Sequence, residues 1–262
     1  MYTIERQQHI LQFVRKHKVV KLVTLTKEFN VSMETIRRDI QQLVLDRKME
    51  KFYGGVKYIE PVEGLMDNRL HEQLPEKIAI AKACASLVQD GECIFLDSGT
   101  TTYQMTPFLL EKEKLTVITN SLPVAFDLIG SNIEVIIIGG KVRHSEKSVT
   151  SNDFLFRFDH LNINKAFICA SGVSIEKGIS DFNLEEAITR KQIINISQTV
   201  YVAADSSKFD KDVAIQVCPA DAVNMIITDC GLSKKTINHF TDKGVQLKIV
   251  RTNIETESES SN

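Results

Sequence analysis

Six short runs in this 262-residue chain carry hydroxyl, amide, glycine or charged groups at places where chemistry is possible. The first is Asp97-Ser98-Gly99-Thr100-Thr101-Thr102. A glycine flanked by hydroxyls ahead of a helix offers backbone N–H groups, side-chain donors and the positive end of a helix dipole to an anion such as phosphate. Taken alone, the same pattern also describes an ordinary helix cap, since Ser and Thr satisfy those N–H groups themselves. The other runs are Thr119-Asn120-Ser121, Gly139-Gly140-Lys141, Ser171-Gly172, Gly178-Ile179-Ser180-Asp181 and Asp205-Ser206-Ser207-Lys208. Together they suit a phosphorylated sugar or polyol: lysine and N–H groups take the phosphate, while Asp and Asn take hydroxyls. The candidate ligand-binding residues are Asp97, Ser98, Gly99, Thr100, Thr101, Thr102, Asn120, Ser121, Lys141, Ser171, Gly172, Asp181, Asp205 and Lys208.

A second set lies near the N-terminus. Ser32, Met33, Thr35, Arg37, Arg38 and Gln41 fall on one predicted helix, and Lys51, Tyr53 and Lys57 on a predicted hairpin after it. Guanidinium groups fork onto guanine edges or phosphates, so this set suits duplex DNA. Residues 1–60 hold twelve Lys/Arg against seven Asp/Glu, a net of +5, while the remainder nets −7 and the whole chain −2. A basic segment joined to an acidic body points to a polyanionic partner for the first part.

The elements that must position these residues follow from hydrophobic spacing. Ile10, Phe13 and Val14 place a helix over about residues 4–16, and a short helix fits 24–29 before Asn30-Val31 breaks the pattern. Ser32 suits the N-cap of a third helix reaching about Asp46, where Ile36, Ile40 and Leu43 make one buried stripe and leave Thr35, Arg38, Gln41 and Gln42 outside it. Residues 49–58 read as two strands around Gly54-Gly55. Helix, short helix, turn, helix and hairpin make a winged helix-turn-helix, whose third helix enters the major groove. Residues 59–75, with Pro61, Gly64 and Pro75, read as a linker holding at most one short helix.

From Glu76 the pattern changes. A helix over 76–89 precedes the apolar run 93–96; helices near 103–110 and 124–129 precede or follow the runs 115–118 and 135–138. Further runs at 166–170, 200–204, 225–228 and 247–250 complete an alternating order. Short continuous apolar strands between helices imply a mostly parallel sheet covered on both faces, with ligands at the carboxyl ends of its strands. Five of the six hydroxyl-rich runs sit at those ends. The boundaries expected are 1–58, linker 59–75, α/β domain 76–254 and an acidic, serine-rich disordered tail over 255–262.

Several classes are set aside. No apolar stretch approaches the roughly 20 residues of a membrane span, and the first residues lack a signal-peptide core. The five cysteines are scattered without a C-x-x-C pair, which fits a reducing cytoplasm rather than a disulfide framework. The six histidines share no metal-ligand spacing, so no metal and no cofactor are expected. Glu185-Glu186 ahead of Arg190-Lys191 read as helix-dipole and surface residues. Phe154, Phe156 and Phe158, alternating at period two, read as core or subunit contacts.

The run from Val31 to Ile40, with Thr35-Ile36-Arg37-Arg38-Asp39 at its centre, and Phe52-Tyr53-Gly54-Gly55-Val56 after it resemble the DNA-binding domain of the DeoR family of bacterial transcription regulators. The resemblance extends through Glu76-Lys77-Ile78-Ala79, Phe95 to Thr101, Thr119-Asn120-Ser121, Gly139-Gly140 and Ala203 to Phe209, and so covers nearly the whole chain. It implies a sensor domain similar in fold to ribose-5-phosphate isomerase and the CoA transferases. It also implies phosphorylated sugars or polyols as effectors, with 97–102 as phosphate loop and Lys208 near the ligand. Tyr53 replaces a usual His, Arg47 a frequent Gly, Cys169 a frequent Gly, and Ser151-Asn152 stand near another common glycine. The function expected is a repressor of a sugar-utilisation operon, a homodimer or homotetramer on repeated half-sites, because one small head reads few base pairs. The competing expectation is a sugar-phosphate isomerase with a basic appendage, which needs a proton-shuttling carboxylate from among Asp181, Glu185 and Glu186.

Overall fold

The computed structural model describes residues 3–45, 48–59, 63–150 and 161–252. Arg47, Ser151, Asn152, the three phenylalanines at 154–158 and the tail lie outside the described residues. The chain divides into two compact units, Met1–Val62 and Glu63–Asn262.

The first unit runs α1 (Thr3–His17), β1 (Val19–Lys21), α2 (Leu22–Phe29), α3 (Met33–Leu45), β2 (Met49–Phe52) and β3 (Gly55–Tyr58). Ile10 and Val14 of α1 meet Leu25 of α2, Ile36, Ile40 and Leu43 of α3 and Val56 of β3 in one core. Asn30 ends α2 in the left-handed region at φ 49°, which Asn tolerates better than most residues. The strand β1 is not foreseen by the sequence, which starts its second helix at 24 rather than at Leu22. Three residues are too few for a period, and their partner β3 is distant in the chain, with Val20 opposite Val56. The hairpin turn is Tyr53-Gly54 rather than Gly54-Gly55. Gly54 takes φ +77° there, while Gly55 opens β3 with no room for a Cβ against the Phe52 ring.

The second unit opens with α4 (Met66–Leu70) and α5 (Leu74–Ala85). There follow β4 (Cys93–Leu96), α6 (Thr100–Tyr103), α7 (Thr106–Leu109), β5 (Thr116–Thr119), α8 (Leu122–Leu128) and β6 (Glu134–Ile137). Next come β7 (Lys141–Arg143), β8 (Ser148–Thr150), β9 (Ile163–Cys169), β10 (Gly172–Ser174), β11 (Gly178–Asp181), α9 (Leu184–Ile196) and β12 (Ser197–Ala203). The chain closes with β13 (Ile215–Cys218), β14 (Met225–Asp229), α10 (Lys234–Asp242) and β15 (Leu247–Val250). Seven of these strands form one sheet in the order β15-β14-β12-β9-β4-β5-β6, every pairing parallel.

Both faces of that sheet are covered, as continuous apolar strands require. Phe95, Ala166, Ile168 and Val202 join Ala187 and Ile193 of α9 and Phe240 of α10 on one side. Their neighbours Ile94, Leu96 and Phe167 join Ile80 and Cys84 of α5, Leu109 and Val124 on the other. The period of two along each strand therefore divides one apolar run between two cores.

The hairpin β7–β8 and the small antiparallel sheet β10-β11-β13 are additions to the expected order. The run at 178–181, the one that follows none of the expected apolar runs, is itself β11. From Glu63 onward, the stretch read as linker packs within the second unit: Met66 is buried, and its N–H donates to the Ser145 carbonyl. No helix among the described residues is long and apolar enough to cross a membrane.

Candidate functional site

In the first unit, α3 buries its stripe and leaves Arg37, Arg38 and Gln41 exposed, with Met33 and Thr35 half-buried. Ser32 caps the helix: its Oγ accepts from the Thr35 N–H at 3.2 Å and shares a hydrogen bond with Thr35 Oγ1 at 2.9 Å. Arg38 pairs with Glu34 one turn back at 2.9 Å, both side chains solvated, a pair worth only about 0.2–0.5 kcal/mol. The next residue of the motif does a different job. Asp39 is buried and accepts from Arg6 Nε at 2.6 Å and Gln7 Nε2 at 3.2 Å, tying α3 to α1. Lys51 is exposed on β2, Lys57 pairs with Glu50 at 2.9 Å, and Tyr53 stands wholly exposed at the hairpin tip. Exposed arginines on a braced helix and a cationic hairpin with an aromatic tip can meet phosphates and base edges.

In the second unit a cavity opens beyond the carboxyl end of β4. Its wall includes Ser98, Gly99, Thr100, Thr101, Ser171, Asp181 and Lys208 from the expected set, together with Glu63, Arg69, Glu146 and Arg190. The loop after β4 is held rigidly. The Ser98 N–H donates to Asn120 Oδ1 at 2.7 Å, and Asn120 Nδ2 donates back to Ser98 Oγ at 3.1 Å. Thr102 Oγ1 donates to the Asp97 carbonyl at 2.7 Å. Gly99 is required by crowding, since a Cβ there would come within 2.3 Å of Cys169 Sγ. The first amides of α6 have no acceptor within the helix, and Gly99, Thr100 and Thr101 line the cavity.

Seven expected residues lie outside the wall. Asp97, Thr102 and Asn120 are buried supports of the loop, as just described, with the Cys169 N–H donating to Asp97 Oδ2 at 3.0 Å. Ser121 caps α8 through the Val124 N–H. Asp205 caps the turn that carries Lys208, accepting from the Ser207 N–H at 3.0 Å. Gly172 packs against the Lys211 backbone with no room for a Cβ. Lys141 is exposed on β7 and pairs with Glu185 at 3.5 Å. Asp97, Thr102, Asn120, Gly172 and Asp205 adjoin wall residues or fix them, whereas Ser121 and Lys141 lie apart from the wall.

In the cavity wall and beneath it lies an ion network, of which the sequence reading places Glu186 and Arg190 on the surface. Arg190 is 3 % exposed; it donates to Asp97 and Asp181, and to Glu186 Oε2 and the Ser98 carbonyl at 3.4 Å each. Glu186 is also buried and takes Ser148 Oγ at 2.7 Å and Arg143 Nη1 at 3.0 Å, and Arg143 reaches on to Glu63. Glu186 and Arg190 are thus core residues, and their i,i+4 spacing on α9, shared with any solvated helix pair, gives no local sign of it. Burial pushes the Asp97 carboxyl up to about 6 despite Arg190. Burial acts the same way on Asp181, but Arg190, the Asn183 N–H and Ser171 outweigh it and hold that carboxyl below the usual range. A depressed carboxylate locked to a guanidinium is a poor proton shuttle at neutral pH.

Glu63, Asp181 and Glu186 bring carboxylate oxygens within 4.8 Å of one another. Arg143 and Arg190 already neutralise them, so the cluster fits guanidinium groups better than a cation. Lys208 is different: among the described residues it has no ion-pair partner. It stands in the same wall as the amide- and hydroxyl-bearing loop, an arrangement that can hold a phosphate.

Both units match known domain families. Residues 6–62 match the DeoR-like helix-turn-helix domain, and residues 72–230 match the DeoR C-terminal sensor domain. The HTH-type transcriptional regulator IolR of Bacillus subtilis is 35 % identical over 229 residues, covering 85 % of this chain and 90 % of the relative. The glycerol-3-phosphate regulon repressor of Escherichia coli is 26 % identical over 251 residues, covering 95 % of this chain and all of that one. Among solved structures, ribose 5-phosphate isomerase A from Methanocaldococcus jannaschii superposes with a TM-score of 0.40 at 18 % identity, over 53 % of this chain and 55 % of that one, a likeness too slight to build on. With both family domains matched and a full-length relative above 30 % identity, the chain belongs to the DeoR family of helix-turn-helix transcriptional regulators.

Proposed function

We propose that the protein is a cytoplasmic repressor of a sugar-utilisation operon, and that a phosphorylated sugar or polyol modulates its grip on operator DNA. Residues 1–58 bind DNA through Arg37, Arg38, Gln41 and the hairpin, and residues 76–254 sense the effector. A homodimer or homotetramer presents two heads to repeated half-sites, which a single small head needs for useful specificity.

The observation that carries the effector reading is the cavity wall itself. Lys208, without an ion-pair partner among the described residues, faces the same space as the Ser98–Thr101 loop, while the carboxylates Glu63, Glu146 and Asp181 line another part beside Arg69 and Arg190. A phosphate fits the first part and hydroxyls fit the second. The name of the Escherichia coli relative, a glycerol-3-phosphate regulon repressor, agrees with an effector of this class. An effector shifts DNA binding only by its differential affinity for the two states of the protein.

The test is fluorescence anisotropy of the full chain on DNA from upstream of its own gene, with and without a panel of sugar and polyol phosphates. One ester is expected to change operator affinity by about 5- to 150-fold, with the effect lost in Lys208→Ala. Operator binding that no ester alters would sink the sensing half of this reading. Turnover of an ester would favour the isomerase instead.

A further inference from the structure

Glu146 sits between β7 and β8, 3 % exposed, in the wall of the cavity. Its Oε2 is engaged by Arg69 of α4. Its Oε1 is buried and has no hydrogen-bond partner among the described residues. The carboxylate is well anchored: the Arg69 carbonyl in turn accepts from Lys77 Nζ, and the Met66 N–H donates to the Ser145 carbonyl next door. A buried carboxylate oxygen without a donor bears the full loss of its hydration. A ligand that brings a hydroxyl to that oxygen restores the lost hydrogen bond, whereas a ligand with a methylene or a second anionic group there does not.

We propose that Glu146 is a specificity-determining residue of the effector site: its free Oε1 accepts a hydroxyl of the sugar or polyol whose phosphate lies at Ser98–Thr101 and Lys208. This rests on the reading of the cavity as a phosphate-ester site and adds to it which end of the ligand is read, and by what. Arg69 is the positioning partner that fixes the carboxylate. The site therefore prefers esters with a neutral, hydroxylated end over bisphosphates and sugar-acid phosphates, because a second anion would face the carboxylate. Sites built to hydrogen-bond a hydroxyl reject analogues that lack it far more strongly than apolar pockets reject an extra methylene.

The experiment is calorimetric titration of the full chain with inorganic phosphate, glycerol 3-phosphate, ribose 5-phosphate, the hexose and hexitol phosphates and their deoxy counterparts. In Glu146→Gln, the ester that binds the parent chain best is expected to lose about tenfold in affinity, as when a buried polar group loses its hydrogen-bond partner. Inorganic phosphate is expected to change less than about twofold, whereas Thr100→Ala weakens both. Equal loss for ester and phosphate, or none for either, overturns the assignment to Glu146 and leaves the sensor reading standing. If the parent chain binds no member of the panel, the phosphate-ester reading itself falls and this proposal with it. Should Glu146→Gln not fold, the parent chain still decides. A drop of about tenfold for one deoxy position is expected, and uniform affinity across deoxy esters overturns the proposal.

Discussion

Replacing Arg190 with Met removes one guanidinium from a site where its side chain is 4 % exposed and meets three carboxylates, Asp97, Asp181 and Glu186. Met matches the length of the stem but supplies no donor, so Asp97 and Asp181 lose their common partner while staying buried. Breaking a buried ion pair by removing one partner costs about 3–5 kcal/mol, a large part of a typical domain's 5–15 kcal/mol. The pH dependence gives a second signature. In the parent chain Asp181 is held below its usual pKa, so its contribution is present at neutral pH and lost only in acid. Without Arg190 the strongest influence opposing burial is gone, only the Asn183 N–H and Ser171 still favour the carboxylate, and the folded-state pKa rises. The variant then takes up a proton on folding and gains stability as pH falls. At 1.36 kcal/mol per pH unit per proton, the gap between parent and variant narrows by up to about 2 kcal/mol between pH 7 and pH 5.5. Urea unfolding followed by circular dichroism at the two pH values measures both quantities. A loss below about 1 kcal/mol at pH 7, or a gap that widens in acid, would refute the account of Arg190 as the electrostatic centre of the second unit.

Three further outcomes are expected. Arg37→Ala leaves the exposed helix face folded but weakens operator affinity by about 1–3 kcal/mol, read by anisotropy at two salt concentrations; unchanged affinity and salt slope remove Arg37 from the interface. Asp39→Ala strands Arg6 and Gln7 between α1 and α3 and lowers the stability of the first unit by about 2 kcal/mol; calorimetry that finds its transition unmoved contradicts the tie. Burial pushes Glu146 up to about 7 despite Arg69, above an unfolded value near 4.5, so the folded state binds its proton more tightly. Its stability share is therefore greatest in acid and declines as pH rises from about 4.5 to 7, by about 3 kcal/mol at 1.36 kcal/mol per unit. Glu146→Gln flattens that decline, and parallel pH profiles for parent and variant would rule it out.

The DNA-binding unit and the parallel sheet were legible in the sequence because their signals are local. Ile36, Ile40 and Leu43 announce α3 within a few turns, and Ser32 marks its start. Continuous apolar tetrads such as Cys93–Leu96 announce strands buried on both faces. The glycine-and-hydroxyl pattern at 97–102 was visible for the same reason, since cap, glycine and hydroxyls are neighbours. The loop's supports were gathered with it but not separated from it. Which of Asn120, Thr102 or Thr101 faces the cavity depends on a turn whose direction is fixed by Asn120 reaching back to Ser98.

By itself, then, the amino-acid order settled the family, the two architectures and the strand ends where binding groups collect. Folding in three dimensions decided which groups share a cavity. Arg190 and Asp97 are 93 residues apart, Arg69 and Glu146 are 77 apart, and Arg143 and Glu63 are 80 apart. No period or motif links such pairs. A charge also carries no local mark of its burial, since Glu186 and Arg190 have the i,i+4 spacing of any solvated helix pair. Only packing α9 against the sheet and the β7–β8 hairpin takes those groups out of water, and desolvation turns an ordinary surface pattern into the electrostatic floor of a cavity.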